Sequence, residues 1–170
     1  LGLGFALLLE LSGYNVCGVD VSSSYVKSLN EHSFVSSEPG YTDLLKKSKR
    51  FYATTSLREG LNYSDIIFII VQTPNGGENN FYDHTTLSNL LDNINSHRIT
   101  NKEIVISCTI MPTYVDTIAS TLLPDCQNCF ISYNPEFIAQ GEIIKGFTNP
   151  DIILLGTHSE RLRSEIKLIY

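Results

Sequence analysis

No run of apolar residues in this chain approaches the roughly 20 that a membrane-spanning helix requires. The longest, such as Ile66-Ile67-Phe68-Ile69-Ile70-Val71, are only strand length. Basic residues are also scarce: Lys and Arg number 12 against 18 Asp and Glu, giving a net charge of −6 and an isoelectric point near 5.1. That balance argues against a nucleic-acid surface. It leaves a nucleotide ligand open, because backbone N–H groups hold phosphate without Lys or Arg. No repeat, low-complexity tract or linker interrupts the sequence, and no targeting pattern of charge, apolar stretch and cleavage site is legible at a start that falls inside a motif. Cysteine is limited to Cys17, Cys108, Cys126 and Cys129. Cys17 reads as a small core residue of a buried strand. The Cys126–Cys129 pair has neither the second pair nor the His that zinc needs, and it does not open a helix as a redox pair does. A reduced, cytoplasmic protein without a metal, a membrane or a nucleic-acid partner is the expectation.

What remains is a chain of 170 residues, 42% apolar and 18% charged, which describes one globular domain with a sizeable core. Strands and helices alternate. Helices are expected over 5–12, 25–30 (capped by Ser22-Ser23-Ser24, with Val26 and Leu29 inward), 42–48, 56–61, 85–96, 114–122 and 159–170. Strands are expected at 16–20, 51–54, 66–71, 103–107, 130–133 and 152–156. Long loops cover 72–84 and 134–150. The fold class is α/β, a doubly wound and mostly parallel sheet, with strands such as 66–71 covered on both faces.

Residues 1–20 organise this plan. Gly2-Leu3-Gly4 reads as a tight turn followed by an apolar helix, the turn Ser12-Gly13, a strand, and a terminal acid at Asp20. A dinucleotide needs that order, with glycines for close approach to the pyrophosphate, a helix N-terminus for the phosphates and an acid for ribose hydroxyls. The stretch is also defective. Leu7 stands where the third glycine of the motif belongs, the preceding strand is reduced to Leu1, and the 5–12 helix spans only about 12 Å.

Ligands of such sheets sit beyond the carboxyl ends of the strands, and the loops there carry unusual residues. Gly2-Leu3-Gly4-Phe5, Gly18-Val19-Asp20, Glu38-Pro39-Gly40, Ala53-Thr54-Thr55, Val71-Gln72-Thr73-Pro74, Cys108-Thr109-Ile110-Met111-Pro112, Tyr133-Asn134-Pro135-Glu136-Phe137 and Asn149-Pro150-Asp151 follow one another in this order. Together they resemble the NAD-binding domain of the UDP-glucose/GDP-mannose 6-dehydrogenases, the nucleotide-sugar dehydrogenases, over nearly the whole chain.

The resemblance implies oxidation of the C6 alcohol of a nucleotide sugar to a carboxylate with two NAD+ in succession. The conversion of UDP-glucose to UDP-glucuronate comes first among the substrates, and the full enzyme is expected as a homodimer or higher oligomer. A thiolate captures the intermediate aldehyde, and water releases the acid from the resulting thioester. On the matched positions, Gly2, Gly4 and Phe5 would hold the pyrophosphate and Asp20 the adenosine ribose. Val71, Gln72, Thr73, Pro74 and Cys108 would line the cofactor cleft, with Gln140 near the nicotinamide. Thr109 would position a catalytic water. Glu136 would be the acid/base carboxylate, and the backbone of Phe137, Ile138, Ala139 and Gln140 would lie against the sugar. The chemistry of Glu136 agrees independently: a partly desolvated carboxylate beyond a strand end can shuttle protons near neutrality.

The departures carry expectations of their own. Relative to the family the stretch before Asp20 is roughly five residues short, the third glycine included. Either the phosphate loop is damaged or the chain is broken between Phe5 and Ala6, the latter predicting a Cα–Cα separation beyond 3.8 Å. Tyr25 stands where many members place a basic residue, Gln140 replaces a common Glu, and Met111 and Thr113 replace the usual Pro and Gly. None of the four cysteines has the Gly-rich setting of the family's nucleophile, so these 170 residues alone are expected to bind NAD+ weakly and catalyse nothing. A β-hydroxyacid dehydrogenase and a non-catalytic nucleotide-binding domain are the alternative readings.

Overall fold

The computed structural model describes residues 1–77 and 82–170, so part of the long loop expected at 72–84 lies outside the described residues. The chain divides into two compact units, Leu1–Tyr63 with Phe137–Ile152 and Ile166–Tyr170, and Ser64–Glu136 with Ile153–Glu165.

In the first unit, helix α1 (Gly2–Leu11) leads through Gly13, at φ 109°, into strand β1 (Val16–Val19). Helix α2 (Ser23–Asn30) follows, with Ser22 Oγ accepting from the Tyr25 N–H as its N-cap. Helix α3 (Tyr41–Lys47) and strand β2 (Phe51–Thr54) come next, β2 pairing parallel to β1 from Val16↔Phe51 to Val19↔Thr54. Helices α4 (Leu57–Tyr63) and α7 (Ile143–Thr148) also belong here. Leu7, Val26, Leu29, Leu45, Phe51 and Ala53 form the core, so the inward assignment of Val26 and Leu29 holds. Glu10, 8% exposed, acts as a staple: its Oε1 accepts the backbone N–H groups of Lys49 (2.8 Å) and Arg50 (2.9 Å) where the chain enters β2.

In the second unit, β3 (Ile66–Ile69), β4 (Glu103–Ile106) and β5 (Phe130–Tyr133) form a parallel sheet in that order. Central β4 is fully buried, and the connections are α5 (Thr85–Ser96), then α6 (Tyr114–Thr117) with a 3₁₀ turn at Ala119–Leu122. Leu87, Leu91 and Ile94 place the expected face of α5 in the core. Buried Glu103 accepts the Ser159 hydroxyl at 2.6 Å, beside the first turn of α8 (Glu160–Ile169).

Three expectations are corrected. Helix α1 runs from Gly2 through Phe5 and Ala6 to Leu11, so the Gly-x-Gly turn is instead the helix's first turn. The strand expected at 152–156 is a single antiparallel bridge, Tyr133↔Gly156, because Ile152, Ile153 and Leu154 remain 55%, 44% and 38% exposed and unpaired in any ladder. The loop expected over 134–150 contains α7, which buries Ile143 and Phe147.

Candidate active site

The second unit brings three of the expected loops to one edge. Register places Ile69, Ile106 and Tyr133 side by side at the carboxyl ends of β3, β4 and β5. The ladder continues one residue further, the Ser107 N–H donating to Ile69 O and the Asn134 N–H to Ile106 O, both at 2.9 Å. Val71–Pro74, Cys108–Thr109 and Asn134–Glu136 therefore leave the sheet together, as parallel strands require.

Local contacts then aim each loop. Asn134, 1% exposed, donates its side-chain amide to Leu154 O at 2.8 Å, and Tyr133 and Gly156 exchange backbone hydrogen bonds of 2.9 and 2.8 Å. The peptide entering Pro135-Glu136 is thus fixed on both sides, and Glu136 follows half-buried. Thr109 is exposed, whereas Cys108 is 7% exposed. Burial pushes the Cys108 thiol up, outweighing a backbone hydrogen bond with Val71, so it stays a protonated packing group and not a nucleophile.

Sequence reasoning missed His84. Its Nε2 accepts the Met111 N–H at 3.2 Å, and its ring lies 4.4 Å from that of Tyr114, whose hydroxyl pairs with Ser88 Oγ at 2.8 Å. Burial lowers the His84 pKa against the opposing charge of Asp83, which suits a neutral ring that accepts. The imidazole therefore pins the segment that follows Thr109. A lone His ahead of a helix gave no signal of this, since its partner lies 27 residues downstream. Thr113 sits in the left-handed region at φ 71°, which explains the glycine of many members there and is strained for a β-branched residue. A cleft of about 500 Å³ beside His84 and Tyr114 is lined by none of the expected site residues.

The first unit carries the expected phosphate and ribose groups. Helix α1 packs on β1 across the short turn at Gly13, and Asp20 follows the last residue of β1. Two of these residues, Gly4 and Phe5, are packed into the interior of the unit. The Phe5 N–H donates to Leu1 O (3.2 Å) and its ring is 5% exposed, stacked on Phe147 at 5.0 Å and on Tyr170 at 6.3 Å. The Phe5 ring is thus part of the core, and its N–H is taken up by the helix. Gly4 is buried with the Tyr41 hydroxyl against it, where a Cβ would collide, so its smallness serves packing. Burial and the nearby charge of Glu38 push that hydroxyl up to about 12.

The donors that fit a dinucleotide phosphate are consequently the first-turn N–H groups of Gly2 and Leu3, which an α-helix leaves without intrahelical partners. Asp20 fits a ribose: it is half-buried at the end of β1, and a single oxygen, Oδ1, accepts the Ser22 N–H at 2.8 Å. Tyr25 lies near enough for the Asp20 charge to join burial in raising its pKa, and its ring packs edge-on against Phe34 at 5.0 Å. In the 137–140 segment Phe137, Ala139 and Gln140 are exposed and Ile138 is half-buried. Among the described residues no group of three His, Cys, Asp or Glu side chains could hold a metal, and no helix is long and apolar enough to cross a membrane.

Comparison with known proteins follows the same lines. The family model described as "UDP-glucose/GDP-mannose dehydrogenase family, NAD binding domain" matches residues 1–170. The GDP-mannose 6-dehydrogenase of Pseudomonas aeruginosa is 27% identical over 186 aligned residues, covering 99% of this chain and 42% of that protein. The UDP-glucose 6-dehydrogenase of Rickettsia conorii is 26% identical over 175, covering 99% and 40%. A crystal structure of a ternary complex of GDP-mannose dehydrogenase from Pseudomonas aeruginosa superposes with a TM-score of 0.90 at 26% identity, over 99% of this chain and 41% of that one. The parallel α/β architecture is therefore Rossmann-like, and the chain spans about two-fifths of the length of these relatives.

Proposed function

Because the chain belongs to the UDP-glucose/GDP-mannose dehydrogenase family as its NAD-binding domain, we propose that residues 1–170 are the cofactor half of an enzyme that oxidises the C6 alcohol of a nucleotide sugar to a carboxylate. NAD+, when bound, supplies the hydride acceptor. In this reading the Gly2 and Leu3 N–H groups face the pyrophosphate and Asp20 accepts from the adenosine ribose. Val71, Gln72, Thr73, Pro74 and Cys108 line the cofactor cleft, with Gln140 toward the nicotinamide. Thr109 orients the hydrolytic water, and Glu136 takes its proton. The backbone of Phe137 to Gln140 holds the sugar. The thiolate comes from outside these residues, since buried Cys108 is unsuited to the role, and the working enzyme is a homodimer or a higher oligomer.

The observation that carries the reading is the shared edge of β3, β4 and β5, from which Thr73, Thr109 and Glu136 leave on adjacent, register-matched strands. UDP-glucose is the substrate put forward. GDP-mannose is the second reading, favoured by the 27%-identical relative from Pseudomonas aeruginosa. The test is Glu136→Gln in the full-length protein, assayed by NADH formation on both sugars. The variant should lose about 10²- to 10⁴-fold in kcat, the range a positioned acid/base contributes. Activity within threefold of wild type would remove Glu136 from the chemistry.

A further inference from the structure

A carboxylate far away in sequence holds the end of the 137–141 segment. The N–H of Gly141 donates to both oxygens of Glu38, at 3.0 and 2.9 Å, across a separation of 103 residues within the first unit. Both ends of this tether are preset. Glu38 stands in a loop braced by its own N–H on Ser36 Oγ (3.0 Å), by the Ser36 N–H on Thr42 Oγ1 (3.1 Å), and by Gly40 at φ 82°. Gly141 is held at φ 87°, a conformation that side chains other than glycine disfavour. At the other end of the segment Ile138 packs so closely on α7 that a Cβ at Gly146 would lie 2.9 Å from its Cγ1 and Cγ2. Ala139 and Gln140, between the two anchors, are exposed.

An exposed charged hydrogen bond adds little to global stability, because water competes for both partners. Its effect is geometric: it selects one path for the backbone between Ile138 and Gly141. We propose that Glu38 is a positioning residue for nucleotide-sugar binding, fixing the Ile138–Gly141 backbone that receives the sugar. This rests on the function proposed above for that segment.

The experiment uses the full-length protein with UDP-glucose and GDP-mannose as probes, comparing wild type, Glu38→Ala and Glu38→Gln. Glu38→Ala should raise the KM of the accepted sugar at least tenfold, leave kcat within threefold and the NAD+ KM within twofold, and shift Tm by no more than about 2 °C. Glu38→Gln, whose amide oxygen still accepts the Gly141 N–H, should return the sugar KM to within threefold of wild type. Amide exchange over 137–142 should accelerate in Glu38→Ala and not in Glu38→Gln. An unchanged sugar KM in Glu38→Ala, or a Glu38→Gln no better than Glu38→Ala, overturns the positioning role. A wild type that oxidises neither sugar overturns the proposed function, and with it this role. The exchange measurement then reports separately whether the tether exists.

Discussion

Removing the Asp20 carboxylate should weaken NAD+ binding by an amount that its surroundings set. Asp20 ends β1, half-buried, with Oδ1 accepting the Ser22 N–H at 2.8 Å. A carboxylate has about four acceptor sites, so this leaves capacity for two ribose hydroxyls. Hydrogen bonds to a charged group contribute about 1.5–3 kcal/mol each. Two such bonds at the low end total about 3 kcal/mol, and half-exposure to water trims this to about 2–3 kcal/mol, which is roughly a 30- to 150-fold rise in Kd. Asp20→Asn keeps a single carbonyl oxygen, which accepts the Ser22 N–H and has one lone pair left for the ribose, and should lose about fivefold to tenfold. The neutral side chain also ceases to repel a 2′-phosphate, so the preference for NAD+ over NADP+ should narrow in both variants. The assay is calorimetric titration of each dinucleotide into wild type, Asp20→Ala and Asp20→Asn. An NAD+ Kd within twofold of wild type for Asp20→Ala would refute the ribose assignment and leave Asp20 as a turn-capping acid.

Other variants test the scaffold. Burial raises the Glu10 pKa, but the Lys49 and Arg50 N–H groups, with Ser48 and the Arg50 charge, outweigh it and leave the carboxyl below its usual range. Glu10 thus adds stability above the unfolded carboxylate range, near pH 4.3, and that contribution is lost as pH falls through the folded value. Glu10→Gln should cost about 1–2 kcal/mol at pH 7, and that cost should shrink as the pH falls below the unfolded carboxylate range, measured by urea unfolding. A cost that persists unchanged at low pH would show that charge is not involved. Gly4→Ala drives a methyl into the Tyr41 ring and should cost about 1–3 kcal/mol; an unaltered Tm would contradict the packing described. Thr113→Gly relieves a left-handed backbone at φ 71° and should stabilise by about 1 kcal/mol, seen as a higher urea midpoint.

Much of the fold was legible because its signals are local. Strands β2 and β5 and helix α5 begin and end where their apolar patterns do, at Phe51–Thr54, Phe130–Tyr133 and Thr85–Ser96. Residues 152–156 carry the same apolar pattern as a strand, but among them Gly156 alone forms a β-bridge, and strand pairing is a property of the neighbour and not of the segment. Gly2-Leu3-Gly4 reads as a turn in isolation. The apolar helix extends back through it, burying Phe5 against Phe147.

The site divides in the same way. Thr109 and Glu136 were legible as strand-end residues, and the register of β3, β4 and β5 sets their loops at one edge. Glu38 and His84 were not. Each acts on a backbone N–H, a group that every residue but proline carries, so nothing in the sequence of Gly141 or Met111 marks it as a partner.

Four-electron oxidation of a nucleotide sugar is the reaction proposed for the enzyme that this domain serves. Its most direct measurement is the ratio of NADH formed to nucleotide sugar consumed by the full-length protein, with UDP-glucose and GDP-mannose offered separately under limiting sugar. Two NADH for each sugar, with a uronate product, is the predicted result. One NADH for each sugar with an aldehyde product, or none with either sugar while NAD+ still binds, would contradict it.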